Sequence, residues 1–162
     1  MRKAVFIVLI FTVFLNFNVY AKTSDFVNMR REIFADAQAI KSVLTNTKDM
    51  IILSSLWDAC VLTMTQIDAY FSLLGIFNSI EKKETTAEQV DYLNGWLLEI
   101  KKTNDLNINS LSSSQAIEEK TKAYMDKLRQ KYNKLNDIIA NELTKLEALK
   151  KTSKKPAKAK KR

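Results

Sequence analysis

The sequence predicts an all-α protein: an antiparallel four-helix bundle with long, coiled-coil-like second and fourth helices, preceded by a signal peptide. Three observations carry that expectation. Apolar residues recur every three or four positions through most of the chain, which is the period of one helical face. Two glycines and one proline in 162 residues are too few for the turns of a sandwich, a barrel or a doubly wound sheet. An apolar run also follows two basic residues at the N-terminus.

That run has the layout of an export signal. Arg2 and Lys3 precede apolar residues 4–15, interrupted only by Thr12, and a more polar stretch with Asn16 and Asn18 leads to Val19-Tyr20-Ala21. Short side chains at the first and third places of that triplet suit a signal peptidase, with cleavage after Ala21. If the peptide is not removed, residues 4–21 become a membrane anchor, although about 20 apolar residues are usual for a span. Either way the expected location is exported, periplasmic or secreted. The expected organisation is a signal peptide (1–21), a helical bundle (22–149) and a disordered Lys-rich tail (150–162).

The first helix is expected from a Ser24 or Asp25 cap to about residue 45. Phe26, Met29, Ile33, Ala37, Ile40 and Leu44 form its apolar face. Thr45-Asn46-Thr47 marks a turn, and Asp49 is positioned to cap the next helix, about 49–82. There Met50, Leu53, Trp57, Cys60, Met64, Ile67, Phe71 and Leu74 alternate by three and four, a heptad seam. A second row (Ile52, Leu56, Ala59, Tyr70, Leu73, Phe77, Ile80) lies beside it, and Ser54, Ser55, Asp58, Thr65, Asp68, Ser72 and Ser79 fill the opposite strip. So broad an apolar arc needs at least two neighbours, which makes this the central helix. A membrane span over 50–77 is disfavoured, because Asp58 and Asp68 would each cost about 2.5–3.5 kcal/mol.

Thr85 and Glu88 match a capping box ahead of a third helix bearing Val90, Leu93, Leu97 and Ile100, with Tyr92 and Trp96 adjacent. Asn94-Gly95 is a hairpin signal between strands, but the helical phase continues across it at a cost of ~1 kcal/mol. Residues 103–114, rich in Asn and Ser, read as a loop, or as a partial extension of the third helix. The last helix is expected from about 114 to 151, with a seam of Met125, Leu128, Tyr132, Leu135, Ile139, Leu146 and Leu149 interrupted by Glu142. Glu118 with Lys122 and Glu147 with Lys151 are i,i+4 pairs in the favourable order. At ~55 Å this helix is long enough to project beyond its partners or to join a second subunit in a homo-oligomer. Pro156 blocks its continuation.

The residue inventory removes most familiar chemistries. Serine and cysteine nucleophiles usually rely on a histidine base, and the chain contains no histidine. The same absence removes the Glu-x-x-His motifs of bundle di-iron sites. Cys60 is the single cysteine, so no internal disulfide forms, and its place on the seam predicts burial. Asp58 and Asp68 lie ~15 Å apart along the axis, outside the ~5 Å or ~6.5–9.5 Å of a glycosidase pair. Trp57 and Trp96 read as core anchors. The expectation is therefore no enzyme, cofactor or metal.

Charge supplies the functional lead. Residues 22–149 carry 16 Lys/Arg and 18 Asp/Glu, whereas residues 150–162 carry eight Lys/Arg and no acid. The expected polyanion-binding residues are thus Lys150, Lys151, Lys154, Lys155, Lys158, Lys160, Lys161 and Arg162. The Lys-Pro-Ala-Lys-Ala-Lys-Lys string resembles the lysine-rich tails of histone-like proteins, which in the cytosol implies nucleic-acid binding. Outside the cytoplasm the partners would be an anionic membrane surface, a cell-wall polymer or an acidic protein, with about 1 kcal/mol per basic residue near anionic lipid. The function expected is a non-enzymatic envelope interaction or structural protein. A periplasmic holdase-type chaperone is the alternative.

Overall fold

The computed structural model describes residues 25–80 and 87–153. These form a bundle of four helices without strands: α1 (25–41), α2 (Met50–Ile80), α3 (Ala87–Ser113) and α4 (Glu119–Ser153). The expected signal peptide (1–21), Ser24, Thr85 of the expected capping box and tail residues 154–162 lie outside the described residues.

One core runs the length of the bundle, and α1, α3 and most of the α4 seam contribute the faces expected of them. Phe26, Met29, Ile33, Ala37 and Ile40 of α1 are buried, as are Val90, Leu93, Leu97 and Ile100 of α3. On α4 the seam from Met125 to Ile139 is buried, along with Leu146, whereas Leu149 is exposed.

On α2 the buried line is Leu53, Leu56, Cys60, Thr63, Ile67 and Tyr70. It lies between the two expected rows and includes a polar residue. Neither row alone is the centre because α2 touches three helices. Trp57 and Phe71 turn toward α1, where they meet Lys41 and Phe26, while Phe77 meets Tyr92 of α3. The strip between them faces α4. Met50, expected on the seam, is 57% exposed.

The Asn/Ser-rich segment 103–114 is a helix almost throughout rather than a loop. Tertiary contacts override its weak propensity. Asn104 is fully buried and donates to Asn136 at 3.3 Å, Thr103 accepts from Gln66 at 3.0 Å, and Leu111 is buried. Ser112 and Ser114 return their hydroxyls to carbonyls four residues back, which satisfies them within the helix. The last helix starts at Glu119 rather than near 114, because the preceding turn is held by Asp49.

Candidate functional site

Of the eight residues expected to bind polyanions, Lys150 and Lys151 lie in the last turns of α4, where the helix dipole favours cations. Lys151 is exposed. Lys150 is ion-paired with Asp91 near the start of α3, and that hydrogen bond raises its pKa. One turn earlier, Glu147 accepts from the Asn94 amide at 3.1 Å, not from Lys151 as the i,i+4 reading expected. These two contacts moor the end of α4 to α3. The remaining six basic residues lie outside the described residues.

A second cluster lies inside the bundle. Asp36 of α1 is 1% exposed, yet it takes Lys127 at 2.7 Å and also the ammonium of Lys131. Lys131 additionally donates to the Glu32 carbonyl at 3.0 Å. Beneath this pair lie Cys60, Thr63 and Tyr132, all fully buried, with the Tyr132 hydroxyl 3.9 Å from Cys60 Sγ. Burial pushes the Cys60 thiol up to about 12 and raises the Tyr132 phenol. Both therefore stay protonated at neutral pH, which makes the thiol a weak nucleophile. Asp36 is saturated by two ammonium groups. The arrangement is built to set register between α1 and α4. A sequence signal for it existed: the acids Glu32 and Asp36 stand four apart, as do Lys127 and Lys131.

The third polar arrangement joins two helix starts. Asp49 does not cap α2 as expected. Its carboxylate accepts the N–H groups of Ile117 (3.0 Å) and Glu118 (2.8 Å) at the entry to α4. Those bonds hold its pKa below the ordinary carboxylate value. In return, the Glu118 carboxylate accepts from the Thr47 hydroxyl (2.8 Å) and the Lys48 N–H (2.9 Å) ahead of α2. Each acid thus accepts from donors just ahead of the other's helix. Glu118 is thereby drawn from its expected partner, and Lys122 pairs with Glu119 at 2.6 Å.

The other sequence candidates are also placed. Asp58 is exposed, and Asp68 makes a bidentate pair with Arg30 at 2.5 and 2.7 Å. Trp96 donates its indole N–H to the Gln66 carbonyl at 3.2 Å, and Lys41 sits 5.9 Å above the Trp57 ring. A surface groove of about 440 Å³ between α1 and α4 mixes Asp25, Arg31, Glu32 and Lys134 and has no single charge preference. Among the described residues, no group of three or more His, Cys, Asp or Glu stands close enough to hold a metal ion. One helix there, α2 over Met50–Phe77, is long and apolar enough to cross a membrane. The chain matches no family model, no curated protein and no solved structure.

Proposed function

We propose that this chain is an exported, non-enzymatic interaction protein of the cell envelope, whose helical body presents a lysine-rich C-terminal segment to an anionic surface. The carrying observation is the charge partition: eight Lys/Arg and no acid in residues 150–162, behind a body of nearly balanced charge. The mooring of α4 through Lys150 and Glu147 supports it, because it gives the basic segment a fixed point of departure. Export rests on residues 1–21, read as a signal peptide.

The same reading includes an antiparallel, up-down-up-down order of helices. As numbers rise on α1 through Phe26, Arg30 and Lys41, their α2 partners fall through Tyr70, Asp68 and Trp57. Asp91, Asn94 and Asn104 of α3 likewise meet Lys150, Glu147 and Asn136 of α4. Cys60 and Tyr70 meet Tyr132 and Glu142, rising together, as two parallel diagonal helices do.

Truncation after Lys151 tests the proposal while leaving the Lys150–Asp91 contact in place. Binding to anionic vesicles or cell-wall polymer at low salt is expected to disappear with helicity unchanged, and salt is expected to weaken binding of the intact chain. Unaltered binding after truncation removes the tail from the proposal. N-terminal sequencing of the native protein tests export separately: a mature start at Lys22 supports it, and Met1 retained in a soluble cytosolic fraction refutes it.

A further inference from the structure

We propose that Gln66, Asn104 and Asn107 form a built hydration site in the middle of the bundle, where one internal water bridges α2 to the α3–α4 pair. The buried line of α3 is apolar at Val90, Leu93, Leu97, Ile100 and Leu111, and Asn104 is its one polar member. Asn104 is 0% exposed, so its amide has no access to bulk solvent. On α2 the half-buried Gln66 stands at the same level, since it bonds to Thr103. Asn107 follows three positions further along α3, a rise of about 4.5 Å.

Hydrogen bonding fixes which way two of these amides face. The Thr103 hydroxyl gives its proton to the Glu99 carbonyl at 3.0 Å. Toward Gln66 it is therefore an acceptor, so Gln66 Nε2 points at it (3.0 Å) and the carbonyl Oε1 points away. The Asn136 amide donates to Asp105 Oδ1 at 2.7 Å, which leaves its carbonyl to accept from Asn104 Nδ2 at 3.3 Å. Asn104 Oδ1 is thereby turned the other way. Turning either amide over would set two acceptors face to face.

Three buried atoms remain. Gln66 Oε1, Asn104 Oδ1 and Asn107 Nδ2 make no hydrogen bond among the described residues. Two acceptors and one donor are complementary to a water molecule, which donates to both carbonyls and accepts from Asn107. About three hydrogen bonds are usual for an internal water. The same set rejects ions, because the carbonyls repel an anion and the Asn107 N–H repels a cation. A dry layer would leave all three groups unpaired, which native interiors avoid. Asn107 and the fully buried Tyr132 also line a groove of about 200 Å³ between α2 and α3. That groove gives solvent a way in, so the water exchanges while the bundle stays folded.

Water–protein cross-relaxation, measured by NMR on the isotope-labelled full chain, tests the site. The side-chain amide protons of Gln66, Asn104 and Asn107 are expected to show Overhauser contacts with a long-lived water, marked by opposite signs in the laboratory and rotating frames. Asn107→Leu, similar in size but without the donor, is expected to lose the contacts at Gln66 and Asn104 with unchanged far-UV circular dichroism. Asn94→Ala, near the other end of α3, is expected to leave them intact. An intact chain without such contacts overturns the proposal, whatever the variants do. So does a contact that survives Asn107→Leu, an equal loss in Asn94→Ala, or a crystal structure in which Asn107 Nδ2 bonds directly to either carbonyl.

Discussion

The contact between α1 and α4 is held by charge, and the contact between α2 and α3 by neutral groups. On the first, buried Asp36 gathers Lys127 and Lys131, with Glu32 3.8 Å from the latter. On the second, Gln66 donates to Thr103, the Trp96 indole donates to the Gln66 carbonyl, and Phe77 meets Tyr92 edge to face at 6.2 Å. Both contacts set register. They differ in what is left behind when one partner is removed: ammonium groups without their buried carboxylate in the first case, and in the second a hydroxyl that still donates to the Glu99 carbonyl.

Asp36→Ala should therefore cost the most. Lys131 is 14% exposed and Lys127 57%, so the loss should fall toward the low end for a broken buried pair, about 3 kcal/mol. Gln66→Ala should cost about 1 kcal/mol. Urea denaturation of both variants measures the gap, and equal losses would erase the distinction between the two contacts.

A pH series separates groups that fold as anions from groups that fold neutral. The Asp49 carboxyl is lowered from 3.8 by its bonds from Ile117 and Glu118. Its contribution is therefore complete above that value and is lost as pH falls through the folded one. Asp49→Asn should flatten this acid limb in thermal melts below about pH 4. Cys60 runs the opposite way, raised from 9.0 to about 12 by burial. Its contribution is complete below 9.0 and is lost as pH climbs toward 12. At pH 8 iodoacetamide should label Cys60 only as fast as the bundle opens, and rapid labelling of the folded chain would contradict its burial.

The smallest expected effects are gains. The Thr63 hydroxyl lies in the core without a well-formed hydrogen bond among the described residues, its one polar interaction being with the Tyr132 phenol, so Thr63→Val should stabilise by at most about 1 kcal/mol. Gly95 sits inside α3 with nothing within 4 Å of where a Cβ would stand. Gly95→Ala should add a little under ~1 kcal/mol. A loss at either position, read from melting temperature, would show that the site is tighter than described.

The apolar faces of α1, α3 and α4 were legible because period-3.6 burial is a local property of each helix. What escaped was polar and non-local. Thr63 completes the α2 line only when α4 is known to lie opposite. Asp36 had no place in the sequence reading, because its partners Lys127 and Lys131 lie on another helix. Segment 103–114 has the composition of a loop, and its helix depends on Asn136 and Gln66, which lie far away in sequence. Asp49 was expected to cap α2, but the N–H groups its carboxylate serves lie just ahead of α4. Local pattern identifies a donor or acceptor and leaves its partner to the fold. The basic tail was legible as charge alone.

The exchange of carboxylates between Asp49 and Glu118 also has a mechanical consequence. It closes the intervening chain into a non-covalent ring that contains α2 and α3 and excludes α1 and α4. Tension applied to the two ends of the polypeptide therefore passes through this rivet, and the α2–α3 hairpin stays slack until it gives way. A protein stretched between two anchorages would extend in steps, with α1 and α4 yielding while the ring still holds its shape.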